Sequence, residues 1–175
     1  MFTFVLIIMV IGIGGVSNSG KSYLAEKIRE ALPGKSVRIL CLDHFVFPEE
    51  QQSKIENHID WEIPESLDFD AFREAIEESE DVYDIVIAEG LMVFWNKKID
   101  RLIDRHIFIT LPEEVFKERK RHDMRWGKEP EWYISHIWDS YLKYGTLPED
   151  TDDALVIDGT KEFNIPAVIS WLNLY

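Results

Sequence analysis

Eight consecutive residues carry the strongest chemical signal in the chain. Gly15-Val16-Ser17-Asn18-Ser19-Gly20-Lys21-Ser22 meets the spacing G-x-x-x-x-G-K-[ST] at every fixed position. Glycines let the backbone curl until its N–H groups point at phosphate oxygens, and a following helix N-terminus adds a favourable dipole for the same anion. In such a loop Lys21 reaches the β- and γ-phosphates of a nucleoside triphosphate, and the Ser22 hydroxyl ligates Mg²⁺. The loop implies a nucleotide and leaves the reaction open. A GTPase would need Asn-Lys-x-Asp, and Asn96-Lys97-Lys98-Ile99-Asp100 places its aspartate one position late. No Asp-x-x-Gly switch motif occurs either. A GTPase is set aside.

Two carboxylates could complete a phosphotransferase. Asp43 follows the apolar run 37–42, and Glu89 follows 85–88. Phosphoryl transfer needs an aligned hydroxyl, a neutralised triphosphate and cations around the moving group. Asp43 suits the acceptor of the substrate hydroxyl proton. Glu89 suits an organiser of Mg²⁺, directly or through its waters. Either acid alone would more simply cap a turn; the complete phosphate loop is what favours chemistry.

Cations are concentrated in one place. Residues 117–128 hold six basic residues and two acids. Lys117, Arg121 and Arg125 recur at i, i+4 and i+8, which predicts one shared helix face, with Arg119 on another. Such a stripe can close over ATP as a lid, with Arg121 and Arg125 on the phosphates. Aromatic residues flank this region: Trp126, Trp132 and Tyr133 follow it, and Trp61-Glu62 interrupts a polar stretch. An indole face can stack on a heteroaromatic base, and a carboxylate can accept hydrogen bonds from a ribose diol. Trp61, Glu62 and Trp132 are therefore candidate acceptor contacts, whereas Trp138 and Tyr141 read as packing residues.

These groups need a scaffold that gathers them. Short Val- and Ile-rich runs at 4–13, 37–42, 85–88, 106–111 and 154–157 read as strands. Helical patterns at 21–32, 67–80, 112–124, 132–144 and 165–174 fall between or after them. Such alternation predicts an α/β fold with a parallel sheet covered on both faces, and ligands at the carboxyl ends of its strands. No repeat or linker divides the 175 residues, so one domain is expected.

Composition narrows the partners. A net charge of −14 argues against nucleic acid, whose phosphates are bound by Lys and Arg. The single cysteine, Cys41, precludes an intramolecular disulfide and fits a reducing, cytoplasmic setting with a buried, inert thiol. The first charge in the chain is Lys21. The apolar N-terminal run has neither the basic start of a signal peptide nor the length of a membrane helix, so no membrane is expected. A strand starting at Met9 would suffice, leaving Met1 and Met9 both open as the native start.

Taken together the residues resemble the uridine kinase-like P-loop kinases, and within them the nicotinamide riboside kinase family. The resemblance runs over nearly the whole chain. It rests on the Asn-Ser-Gly-Lys form of the loop at 18–21, on Leu42-Asp43-His44-Phe45, and on Trp61-Glu62-Ile63-Pro64-Glu65-Ser66-Leu67-Asp68. Ala88-Glu89-Gly90-Leu91, Trp138-Asp139-Ser140-Tyr141-Leu142-Lys143-Tyr144 and Asp158-Gly159-Thr160-Lys161 extend it. It implies a three-layer αβα fold with a five-stranded parallel sheet and a helical lid at about 113–135. The implied reaction passes the γ-phosphate of ATP to a riboside 5′-hydroxyl, giving nicotinamide mononucleotide. Asp43 then matches the catalytic acid, Glu89 the magnesium-organising acid, Trp61 the ring that stacks on nicotinamide and Glu62 the ribose-holding acid. The lid arginines would lie among Arg119, Arg121 and Arg125. Where this chain has His44 some members carry a second acid, and its Trp-Glu pair stands where tyrosine and aspartate also occur. A uridine or cytidine kinase, another small-molecule P-loop kinase and a non-catalytic ATP-binding module remain as other readings, and the choice of ATP or GTP and of monomer or homodimer stays open.

Overall fold

The computed structural model of the chain describes residues 8–125 and 127–174. In chain order it forms β1 (Met9–Gly15), α1 (Lys21–Glu30), β2 (Val37–Cys41), β3 (Lys54–Ile55), β4 (His58–Ile59), α2 (Phe69–Glu80), β5 (Ile85–Glu89), α3 (Lys97–Asp100), β6 (Arg105–Thr110), α4 (Glu113–His122), α5 (Glu131–Tyr144), β7 (Ala154–Asp158) and α6 (Ile165–Leu172). Five strands make one parallel sheet in the order β2-β5-β1-β6-β7, and β3 and β4 form a separate antiparallel hairpin.

Period-two alternation sorts the strand residues between two cores. Ile11, Ile13, Ile85, Ile87, Ile107 and Ile109 pack on Leu24 and Ile28 of α1 and on Val168 and Leu172 of α6. Val10, Val86, Ala88 and Phe108 face the other way, onto Phe72 and Ile76 of α2, Phe116 of α4 and Ile134 and Ile137 of α5. Phe72 and Phe116 are fully buried, each contributing on the order of 2–3 kcal/mol of transfer free energy. Helices on both faces explain why the central strands read as continuous apolar runs.

Element boundaries moved where hydrogen bonding decided them. Of the predicted strand 4–13, residues 4–7 lie outside the described residues; the ladder runs on to Gly15, because Gly14 and Gly15 still pair with Phe108 and Ile109. The first helix stops at Glu30, short of the predicted 32. The second strand stops at Cys41, because Leu42–His44 turn into 3-10 helix. Helix α2 starts at Phe69 and not at 67, because the Asp68 carboxylate caps it by accepting from the Ala71 N–H at 2.9 Å. The β3–β4 hairpin and the four-residue α3 were not expected from the sequence. Among the described residues no helix is long and apolar enough to cross a membrane.

Candidate active site

The loop between β1 and α1 is held open by its glycines. Gly15 has φ 143°, and a Cβ there would lie 2.5 Å from the Ile109 carbonyl oxygen and 2.9 Å from Ser19 Oγ. Only glycine fits such a place. Gly20, at φ 104°, caps α1 without a side chain, and Asn18 also takes a left-handed conformation at φ 59°. Lys21 is 8% exposed, and its Nζ donates to the Val16 carbonyl at 3.0 Å. Ser19 Oγ is buried and has no hydrogen-bond partner among the described residues. A buried orphan hydroxyl costs about 1–3 kcal/mol unless a ligand satisfies it, and a phosphate oxygen would do so.

Sheet order brings Glu89 to this loop. β5 lies between β2 and β1, pairing Glu89 with Ile13 on one side and Cys41 on the other. Glu89 is thus the last residue of its strand, 2% exposed, and accepts from Ser22 Oγ at 2.7 Å. Asp43 does not project from a strand end. It is the middle residue of the 3-10 turn after β2, exposed, with Leu42 buried as the anchor of that turn. Cys41 lies between the two acids and is half-buried, less covered than expected. Burial, then the charges of Asp43 and Glu89, push its thiol pKa up, away from reactivity.

The basic stripe splits on folding. Helix α4 ends at His122, so Arg125 leaves the face expected to carry Lys117, Arg121 and Arg125. Lys117 pairs with Glu113, and Arg121 makes a two-pronged pair with Glu131 at 2.8 and 3.0 Å on the exposed surface. Arg125 pairs with Asp123 at 2.6 and 2.8 Å, and this guanidinium is the main reason the Asp123 carboxyl lies well below the usual range. Asp123 in turn accepts from Asn18 Nδ2 at 2.9 Å, which ties the turn after α4 to the phosphate loop. The arginine that touches that loop is Arg119. It donates to the Asn18 carbonyl at 3.1 Å and to the Gly159 carbonyl at 2.9 Å. Arg121, by contrast, is engaged away from the loop. An open cavity of about 600 Å³ lies here, lined by Asn18, Val115, Glu118, Arg119, His122, Asp123 and Arg125.

Of the acceptor candidates, Glu62 lies close enough to Asp43 to feel its charge, and Trp132 sits at the start of α5. Trp61 and Glu62 follow the β3–β4 hairpin, and both are partly buried. The Glu62 carboxyl is enclosed although the residue keeps some exposed surface. Desolvation, then the charge of Asp43, push it up to about 8; Lys120 opposes this, while Asp60 and Glu129 add to it. Asp43 and Glu62 therefore share one electrostatic environment. Trp132 packs edge-on against His58 and Tyr133, with centroids 5.1 and 5.4 Å away, whereas Trp61 pairs with no other ring among the described residues. Trp126 lies outside the described residues.

Two cations outside the expected shared face turn inward: Arg119, which the resemblance had included among the lid arginines, and Lys120, which no pattern had singled out. Lys120 is 6% exposed. Adjacent helical positions sit about 100° apart, so α4 directs Arg119 to the phosphate loop and Lys120 toward the acceptor acids. The period showed these separate faces, but only the packing of α4 showed which face was buried. The expected packing roles of Trp138 and Tyr141 hold, since both pack in the core with Phe116 and Phe108.

The donor set fits a nucleoside triphosphate with a hard divalent cation. The glycine cradle and the orphan Ser19 hydroxyl suit phosphate, and the Ser22 and Glu89 oxygens suit Mg²⁺ with its remaining waters. Among the described residues no cluster of three or more His, Cys, Asp or Glu could enclose a metal by itself.

Comparison with known proteins bears on the family and the fold. No family model matches the sequence. Human nicotinamide riboside kinase 1 is 31% identical over 170 residues, covering 87% of this chain and 84% of the relative. Mouse uridine-cytidine kinase-like 1 is 28% identical but aligns with only 65% of this chain and 26% of its own length. Among solved structures, a sugar kinase from a Janibacter species superposes with a TM-score of 0.67 at 19% identity, covering 95% of each chain, which supports the P-loop kinase fold. With that fold, a complete phosphate loop and identity spread over most of both sequences, the chain belongs to the nicotinamide riboside kinase family.

Proposed function

We propose that this protein transfers the γ-phosphoryl group of ATP to the 5′-hydroxyl of nicotinamide riboside. The observation that carries the choice of riboside is the concentration of acid about the enclosed Glu62 carboxyl, which is pushed up first by burial and then by the charges of Asp43, Asp60 and Glu129. Nicotinamide riboside bears a fixed positive charge on its pyridinium ring, whereas uridine and cytidine are neutral. A crowd of carboxylates is costly to ionise unless a cation relieves it. A cationic ring does so, with Trp61 as its stacking face and Trp132 at the rim.

In the reaction, Asp43 accepts the proton as the 5′-oxygen bonds to the γ-phosphorus. The bond from that phosphorus to the β,γ-bridging oxygen breaks, and ADP leaves. Glu62 holds the ribose hydroxyls and so aligns the 5′-oxygen. The 15–22 backbone and Lys21 hold the triphosphate. Ser22 and Glu89 would hold Mg²⁺, which when bound neutralises charge on the β- and γ-phosphates. The segment at about 113–135 serves as the lid, with Arg119 on the phosphate loop and Lys120 facing the acceptor side. Arg121 and Arg125 join only if closure frees them from Glu131 and Asp123.

With ATP and a panel of ribosides, kcat/KM is expected to be highest for nicotinamide riboside. Turnover of uridine and cytidine without nicotinamide riboside would hand the assignment to the pyrimidine nucleosides, which the shorter uridine-cytidine kinase-like match favours. Absence of turnover with every acceptor would leave a nucleotide-binding module.

The acidic recess also sets a pH dependence. In the free protein Glu62 titrates at about 8, so near pH 7 it is mostly protonated. A cationic riboside binds the ionised form better, and KM for nicotinamide riboside is expected to fall as pH rises from about 6.5 to 9. Glu62→Gln should flatten that profile and raise KM at high pH. A wild-type KM that is level or rises over this range would contradict the role given to Glu62.

A further inference from the structure

The segment bearing Trp61 and Glu62 has little regular structure of its own. It leaves the two-residue strand β4, and only a single 3-10 turn at Pro64–Ser66 follows. A site that must hold a riboside to within a fraction of an ångström needs support from outside such a segment. Helix α5 supplies it through two residues one turn apart. Tyr133 Oη donates to the Ile59 carbonyl at 3.3 Å and accepts from the Trp61 N–H at 3.4 Å, bridging the backbone on both sides of Asp60. His136 Nε2 lies 2.8 Å from Asp60 Oδ1, and the same oxygen accepts the Glu62 N–H at 3.1 Å. The His58 ring stacks on Tyr133 with centroids 5.7 Å apart, covering the junction.

Asp60 is 7% exposed. A carboxylate this enclosed stays ordered only when its oxygens are bonded. Without His136 it would turn toward water or other donors, and the Glu62 N–H would lose its acceptor. The Arg121–Glu131 pair joins the start of α5 to α4.

We infer that Asp60 and His136 are positioning residues for the acceptor: with Tyr133 they latch residues 59–62 to α5 and set where Trp61 and Glu62 meet the riboside. This rests on the proposed function for its substrate, and it adds residues that act through Trp61 and Glu62. A latch of this kind acts on acceptor binding and leaves the nucleotide side alone. A scaffold defect would degrade both.

The test measures KM for the riboside, KM for ATP, kcat and thermal midpoint for His136→Ala, His136→Gln and Tyr133→Phe. His136→Ala is expected to raise the riboside KM about tenfold, the loss of one hydrogen bond to a buried charge, while KM for ATP stays within about twofold. His136→Gln, whose amide nitrogen can still donate to Asp60, should recover most of that loss. Tyr133→Phe removes one hydroxyl, and it should raise the riboside KM about threefold even if His136→Ala does not fold. An unchanged riboside KM in the folded variants, an equal rise in both KM values, or no recovery with glutamine would overturn the latch. The ratios are taken on whichever riboside the wild type uses. Failure with nicotinamide riboside but turnover of uridine would therefore count against the substrate assignment alone, and the uridine ratios would still decide the latch.

Discussion

Asp43→Asn is expected to bind ATP nearly as wild type and to turn over about 10²–10⁴-fold more slowly, the usual contribution of a positioned base. The substitution keeps the shape of the side chain and removes only its capacity to take a proton. Asp43 is exposed on a short 3-10 turn whose anchor is the buried Leu42, so the fold has little to lose. The variant also carries its own control. The charge of Asp43 is the second cause, after burial, that raises Glu62. Its removal should let Glu62 ionise at lower pH, moving the pH dependence of riboside binding downward. Slow turnover with that shift would show that Asp43 occupies the acceptor recess and acts there. Near-normal turnover would remove it from the chemistry.

Lys21→Met should lower kcat/KM for ATP by about 10²–10³-fold, the scale seen when one preorganised donor to a developing charge is lost. Methionine fills a similar volume, and Lys21 spends its ammonium on the Val16 carbonyl and not on any carboxylate among the described residues. The thermal midpoint should therefore stay close to wild type while activity collapses. Isothermal titration with ATP separates the two contributions: weaker binding reports the ground state, and a further loss in kcat reports the transition state. Activity within about threefold of wild type would mean that another cation holds the β- and γ-phosphates, and Arg119 would be the next to test.

The phosphate loop was legible because its requirements are local. Gly15 and Gly20 adopt backbone angles other residues avoid, and Lys21 and Ser22 open the helix that follows, so short-range spacing already contains the geometry. Glu89 was legible for a similar reason, as the residue after a buried apolar run. The arginines were not. Spacing of i, i+4 and i+8 assumes an unbroken helix, and α4 stops at His122, which leaves Arg125 on a turn beside Asp123. The hairpin of two-residue strands lay below what alternation can register.

Local pattern in this chain thus determined the five strands of the parallel sheet and the phosphate loop, and it marked Glu89 at the end of β5. Long-range packing alone decided which cations face inward, because Arg119 finds its carbonyl partners 101 and 40 residues away, at Asn18 and Gly159. The same holds for the acceptor loop, whose Asp60 meets His136 across 76 residues of sequence. Backbone angles and period are properties of neighbours along the chain. The partner of a buried charge is settled only when distant elements enclose it and exclude the water that would otherwise solvate it.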